Sequence, residues 1–150
     1  MSEQPARPTR SDYVAWRTVT TRWRDDDAYG HLNNATYYEL FDTAVNAHLY
    51  DGTGLDIRSL PEIGVVAETS CRYFREIGFP APIETGLVVD KVGRSSVVYR
   101  IGLFQGDSDE AAAEGRFVHV YVDNTAGPGD RPVVPMPAAI RAAVEPLLRP

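Results

Sequence analysis

One long helix with almost no polar side, followed by four strand-like stretches joined by short spacers, is the pattern that most restricts this chain's fold. Over residues 35–50, Tyr37, Leu40, Phe41, Ala44, Val45 and Leu49 recur at helical spacing. Thr36, Glu39, Thr43 and Asn46 leave only a narrow polar stripe. An apolar arc that wide predicts a helix wrapped by the rest of the molecule. Asn34 is the expected N-cap, Thr36 with Glu39 offers a competing capping box, and Gly52 and Gly54 are expected to end the helix. From residue 64 the pattern changes to period two. Strands are predicted over 64–77, 83–92, 95–105 and 113–123, separated by Gly78-Phe79-Pro80, Gly93-Arg94 and the polar 106–110 segment. Spacers that short suit antiparallel hairpins, because a parallel crossover needs about a dozen residues or more. With a further strand over 14–23, a Gly/Pro loop over 125–137 and a short helix over 138–148, the fold class is α+β. The prediction is a five-stranded antiparallel sheet wrapped around one long central helix.

The 150 residues carry no internal repeat and suit one domain, taken as 11–150. Residues 1–10 are polar, contain two prolines and are expected to be a disordered tail. No run approaches the roughly 18 apolar residues of a membrane span, and the opening residues do not read as a secretory leader. The single Cys71 can form neither an intrachain disulfide nor a cysteine metal site, so a cytoplasmic location is expected. A formal net charge of −6 argues against nucleic acid as a partner. Any phosphate-bearing ligand would have to meet a local group of arginines.

Chemistry concentrates in Arg22-Trp23-Arg24-Asp25-Asp26-Asp27-Ala28-Tyr29-Gly30-His31-Leu32-Asn33-Asn34, between the first strand and the long helix. Carboxylates beside a glycine turn supply a base or nucleophile, and a fresh helix N-terminus supplies free backbone N–H groups for a developing oxyanion. Asp25 and Asp27, if close, would disfavour ionising together, raising the pKa of one. Asn33 and Asn34 also read as a turn and a cap, which places the same N–H groups. A metal held by Asp25, Asp27 and His31 lacks a further ligand at suitable spacing, so no metal is expected.

The run from Trp23 to Asn34, followed by Tyr37 and Tyr38, resembles the motif of the 4-hydroxybenzoyl-CoA thioesterase-like superfamily of hotdog-fold enzymes. That motif is an aromatic, one residue, Asp-x-Asp-x-x-Gly-His-x-Asn-Asn, then a helix bearing tyrosine. The element order matches over residues 14–148, the motif itself over 22–38. The resemblance implies a hydrolase that cleaves an acyl-CoA thioester to free acid and CoA. It implies Asp27 as general base or nucleophile, the Asn34 N–H polarising the carbonyl, and His31 in support. Asn33 and Tyr37 would adjoin the substrate. The turn of Gly93, Arg94, Ser95 and Ser96 would take the nucleotide arm. No cofactor is implied. The partners would be acyl-CoA, with acyl-carrier protein as an alternative thiol, and further copies of the chain as a homodimer or homotetramer.

Arg72, Arg75, Arg94, Arg100 and Arg131 are the candidates for phosphate contact. Glu39, a catalyst position in another hotdog branch, reads better as a surface or capping residue. His119, alternating with Val118 and Val120, reads as a sheet-face residue. Two rivals stand beside hydrolysis: a hotdog hydratase or dehydratase, whose Asp-x-Asn-Pro motif differs from the Asp27–His31 spacing, and a non-catalytic acyl-thioester binding protein.

Overall fold

A computed structural model describes residues 6–125 and 127–149. Its elements run β1 (Ala15–Val19), α1 (Asn34–Thr53), β2 (Glu62–Tyr73), β3 (Ile83–Val92), β4 (Ser96–Gln105), β5 (Ala113–Asp123) and α2 (Ala138–Val144). The five strands form one antiparallel sheet in the order β1-β3-β4-β5-β2, curled around α1 in the hotdog arrangement.

Register explains how the sheet receives the helix. Alternate β5 residues Phe117, His119 and Tyr121 are buried on the helix side, while Arg116 is exposed. They meet Phe41, Val45 and Leu49 of α1 in a single core that also holds Tyr99, Ile101 and Leu103 of β4. Gly115 is needed for that fit, since a Cβ there would stand 2.6 Å from the Phe41 ring. On the outer face, Tyr13 lies across Gly86 and Gly102 and donates its hydroxyl to the buried Glu114. Arg72 and Arg100 balance that carboxylate at 3.2 and 3.3 Å.

The boundaries differ from the sequence expectations where side chains bond locally. β1 ends at Val19 and not at residue 23. Asp25 accepts from the Arg22 N–H and guanidinium, folding Trp23–Asp25 into a 3₁₀ turn. Asn33, not Asn34, caps α1, its Oδ1 accepting from Ala35 N at 3.0 Å. The Thr36/Glu39 box does not form, because Thr36 is buried and turns its hydroxyl to the Asp25 carbonyl. Gly54, at φ 67°, ends the helix, whereas Gly52 lies inside it against Ala143. β2 stops at Tyr73, where the Phe74 and Arg75 N–H groups both turn to the Ala112 carbonyl. The α-helical part of the final helix stops at Val144, because Pro146 has no N–H to continue it and the chain tightens to 3₁₀. The expected tail also needs correcting. Residues 1–5 lie outside the described residues, but Pro8 is buried, its carbonyl accepting from Ala111 N, and Arg10 N donates to Asp109 O.

β2 is an edge strand of 12 residues, exposed without interruption from Gly64 to Ser70. Val65 and Val66 are among the exposed large apolar residues. Natural sheets rarely leave so long an edge uncovered. Among the described residues no helix is long and apolar enough to cross a membrane.

Candidate active site

Three consecutive aspartates perform three different tasks. Asp25, 6% exposed, has both carboxylate oxygens committed to Arg22: the backbone N–H at 2.7 Å and the guanidinium at 2.8 and 3.1 Å. Burial alone would raise its pKa, but those bonds more than offset it and hold the carboxyl below its ordinary value. Repulsion from Asp27 therefore does not raise Asp25, contrary to the crowding expectation. The Asp25 carbonyl accepts from Asn33 N at 2.7 Å, so this residue joins the 3₁₀ turn to the helix cap.

Asp26 turns the other way. Its Oδ1 accepts from Phe79 N at 3.0 Å, and a Cβ on Gly78 would collide with the carboxylate at 2.9 Å. Asp27 closes the tip. Its N–H donates to the His31 carbonyl at 2.8 Å and its carbonyl accepts from Gly30, at φ 79°. Its Oδ1 accepts from Tyr29 N at 2.8 Å and His31 N at 3.3 Å, which aims the carboxylate; among the described residues Oδ2 has no partner. Asp26 and Asp27 share an open concavity of ≈ 650 Å³ with Trp23, Ala28, Gly30 and Phe79. Trp23 is 82% exposed and packs edge-on against Phe79, giving the concavity an aromatic wall.

The helix end supplies the complementary charge. Asn33 Oδ1 takes the Ala35 N–H and the Asn33 carbonyl takes that of Thr36, so the Asn34 N–H is left without a partner among the described residues. Together with the helix dipole, a free amide here favours developing negative charge. The Asn34 side chain accepts from the Tyr73 hydroxyl, tying α1 to the end of β2. Tyr73 packs edge-on to Tyr37, which is buried; burial, then nearby charges including Glu76 and Asp27, pushes the Tyr37 hydroxyl up to about 12.

The His31 ring does not pair with Asp27. Its Nε2 lies 3.0 Å from Glu76 Oε2, and only its backbone N–H reaches the aspartate. Glu76 and Asp26 are site neighbours that sequence reasoning missed. Asp26 was visible as one acid in a triplet, but Glu76 is remote in sequence and carried no local signal.

The 93–96 turn lies at the other end of the sheet, about 30 Å away at 3.3 Å per residue along β3. The Arg94 carbonyl accepts from Met136 N and the Gly93 carbonyl from Arg141. Of the five candidate arginines, four have guanidinium partners: Arg72 and Arg100 bond Glu114, Arg75 the Gln105 carbonyl, and Arg131 the Gly127 carbonyl. Arg94 is exposed and has no side-chain partner among the described residues. One chain therefore does not bring Arg94 and Asp27 together.

This strand–loop–helix arrangement within a curled antiparallel sheet defines a hotdog-fold protein with an acidic loop at the N-terminus of its central helix. The chain belongs to the thioesterase-like superfamily, whose model matches residues 21–144. It is similar to the PA5185 protein of Pseudomonas aeruginosa at 45% identity, covering 95% of this chain and 97% of that one, with a TM-score of 0.88. At 13% identity it shares its fold with Slr0204, a 1,4-dihydroxy-2-naphthoyl-CoA thioesterase from Synechocystis (coverage 86% and 93%, TM-score 0.75). At 16% identity it shares it with SAV2348 of Staphylococcus aureus, solved in complex with CoA (coverage 95% and 85%, TM-score 0.75). No match was found among proteins with curated descriptions.

Proposed function

We propose that the protein hydrolyses an acyl-CoA thioester to the free acid and CoA, with Asp27 as the reacting carboxylate. The observation that carries this reading is the pairing within one short loop of two groups. One is the Asp27 carboxylate, aimed through one oxygen; the other is the Asn34 N–H at the head of a capped helix, and neither the second Asp27 oxygen nor that N–H has a partner among the described residues. Attack on a thioester needs both, since the carbonyl oxygen gains charge as the new C–O bond forms. Water attacks the carbonyl carbon with Asp27 taking its proton, or Asp27 attacks first and water then hydrolyses the mixed anhydride. In either case the C–S bond breaks and CoA leaves as its thiol. Single turnover in ¹⁸O-water, with the label read in both the acid and Asp27, detects the covalent route. Unlabelled acid with the label retained in Asp27 marks direct attack followed by hydrolysis at the Asp27 carbonyl, whereas base catalysis puts the label into the acid and none into Asp27.

The working form in this reading is a dimer paired through β2. That strand is long, exposed and at the sheet edge, and a two-fold contact buries the same patch on both copies. Antiparallel pairing of β2 with β2 sets the Glu62 end of one copy beside the Tyr73 end of the other. Tyr73 is bonded to Asn34, so each Asp27 loop then borders the far end of the second sheet, where Arg94 lies. Assay of the purified protein for thiol release across short, medium and aryl acyl-CoAs tests the reading. Release with none of them would overturn it.

A further inference from the structure

A second cavity lies away from the Asp27 loop. It occupies ≈ 240 Å³ between the second half of α1, the start of β2 and the end of β5, and Leu49, Leu60, Ile63 and Ile140 form its apolar walls. Asn46, Arg58, Glu62 and Asn124 also line it, Asn46 donating to the Asp42 carbonyl and Arg58 pairing with Asp56, and two further polar side chains face it from β5. His119 is 2% exposed, and neither ring nitrogen has a hydrogen-bond partner among the described residues. Tyr121, the next residue on the same face of β5, likewise makes no hydroxyl hydrogen bond among them. Both converge on Gly64. A Cβ built there would lie 3.3 Å from His119 Nδ1 and 3.2 Å from the Tyr121 hydroxyl, so the missing side chain is what leaves the two polar groups open to the cavity.

We propose that this cavity is a binding pocket for a compact apolar group carrying one neutral hydroxyl, held by His119 and Tyr121. A buried polar group without a partner is costly, and a few convergent polar atoms in an otherwise apolar concavity are the usual form of a ligand pocket. Burial holds the His119 pKa below its ordinary value, more strongly than the charge of Asp42 raises it, so near pH 7 the ring is neutral. A neutral imidazole offers one donor and one acceptor, which a hydroxyl satisfies in either tautomer. It gives no charge to a carboxylate; Arg58, the cation of the lining, is paired with Asp56, and Glu62 repels such a ligand.

The position suggests the use. Asn46 and Leu49 line the pocket 12 and 15 positions after Asn34, about 18–22 Å along the helix, too far to serve the Asp27 loop of the same copy. Paired through β2, the pocket faces the Asp27 loop of the second copy. There it would receive the distal end of the acyl group, a link that rests on the thioesterase reading. The pocket itself does not.

The test is titration of the intact protein with phenol, toluene and benzoate, followed by ¹H–¹⁵N NMR at the amides of residues 62–64 and 119–121. Phenol should shift these amides saturably and bind about tenfold more tightly than toluene, with benzoate not binding. His119→Phe should abolish the preference for phenol while keeping toluene binding. Gly64→Ala, which narrows the pocket, should weaken both and serves if the histidine variant does not fold. Equal affinities, shifts elsewhere, no binding, or a preference that survives His119→Phe would each overturn the pocket. If phenol behaves as expected but no acyl-CoA is hydrolysed, the pocket stands and the enzymatic reading falls.

Discussion

Arg22 closes on Asp25 through its own backbone N–H and the Nε and Nη2 of its guanidinium, and this leaves Asp27, two residues on, as the acid held at the loop tip. The three aspartates should therefore separate on substitution. Asp27→Asn keeps the volume but removes the base or nucleophile, and kcat on acyl-CoA should fall about 10²–10⁴-fold or more with the fold intact. Asp26→Asn should cost much less, because the amide oxygen can still accept from Phe79 N. Asp25→Asn should lower Tm and affect kcat only through the displaced loop. Circular dichroism with steady-state kinetics on each variant checks the order; an active Asp27→Asn beside a dead Asp26→Asn would move the chemistry one residue.

The same pair gives an acid-limb prediction. Asp25 has a folded pKa below its unfolded value of about 3.9, so its contribution to stability is complete above that value and is lost as pH falls through the folded one. His119 acts earlier. Its folded pKa is depressed, so below about 6.5 the unfolded state binds the extra proton first and stability declines. Urea midpoints for His119→Phe should change less between pH 7.5 and 5.5 than those of the parent. Identical pH slopes would mean that the histidine is not buried neutral.

Phe41 of α1 lies directly over Gly115 of β5, where a Cβ would stand 2.6 Å from its ring, and Gly115→Ala should destabilise by about 1–3 kcal/mol through overpacking. Phe41→Ala should cost about 3–5 kcal/mol, because its ring is fully buried and packs edge-on against both Tyr38 and Phe117. Chemical denaturation measures both. A neutral Gly115→Ala would show that α1 can shift away from β5 without loss.

How much of this was legible in the sequence depends on the range of the interaction. The α1 arc and the β3 and β5 boundaries follow from local periodicity, and 83–92 and 113–123 agree with the structure to the residue. The early end of β1 depended on Arg22 meeting Asp25, a side-chain choice that β-propensity does not register. Asn33 and Asn34 are both competent caps, and the Tyr73 hydroxyl, 39 positions away, engages the second. His31 was read beside Asp27 because the two are near in sequence, whereas its ring meets Glu76 from beyond β2. His119 was correctly read as a sheet-face residue, but its lack of partners depends on Gly64 in another strand.

The β2 edge predicts a dimer by light scattering at micromolar concentration. Charging it with Val65→Asp and Val66→Asp, both exposed in the single chain, should shift the protein toward monomer and remove activity in parallel. A monomer that keeps full activity would exclude the shared site while leaving the Asp27 assignment standing.

Arg94 provides the sharpest test of how the two ends of the fold cooperate. In one chain it stands about 30 Å from the Asp27 loop, so a contribution to catalysis there is excluded by distance. Its exposed guanidinium, without a side-chain partner among the described residues, suits a phosphate of the CoA arm bound across a β2-paired dimer. Such a contact is equal in ground and transition states. Arg94→Ala should therefore raise KM for acyl-CoA with kcat little changed, and should leave a truncated thioester without the nucleotide unaffected. Read as CoA binding by calorimetry, the loss caused by Arg94→Ala should vanish in the Val65→Asp and Val66→Asp background, because the arm would no longer span two copies. An Arg94→Ala effect on both substrates, or on neither, would assign that arginine to the 93–96 turn alone, where its carbonyl already holds Met136 N at 3.0 Å.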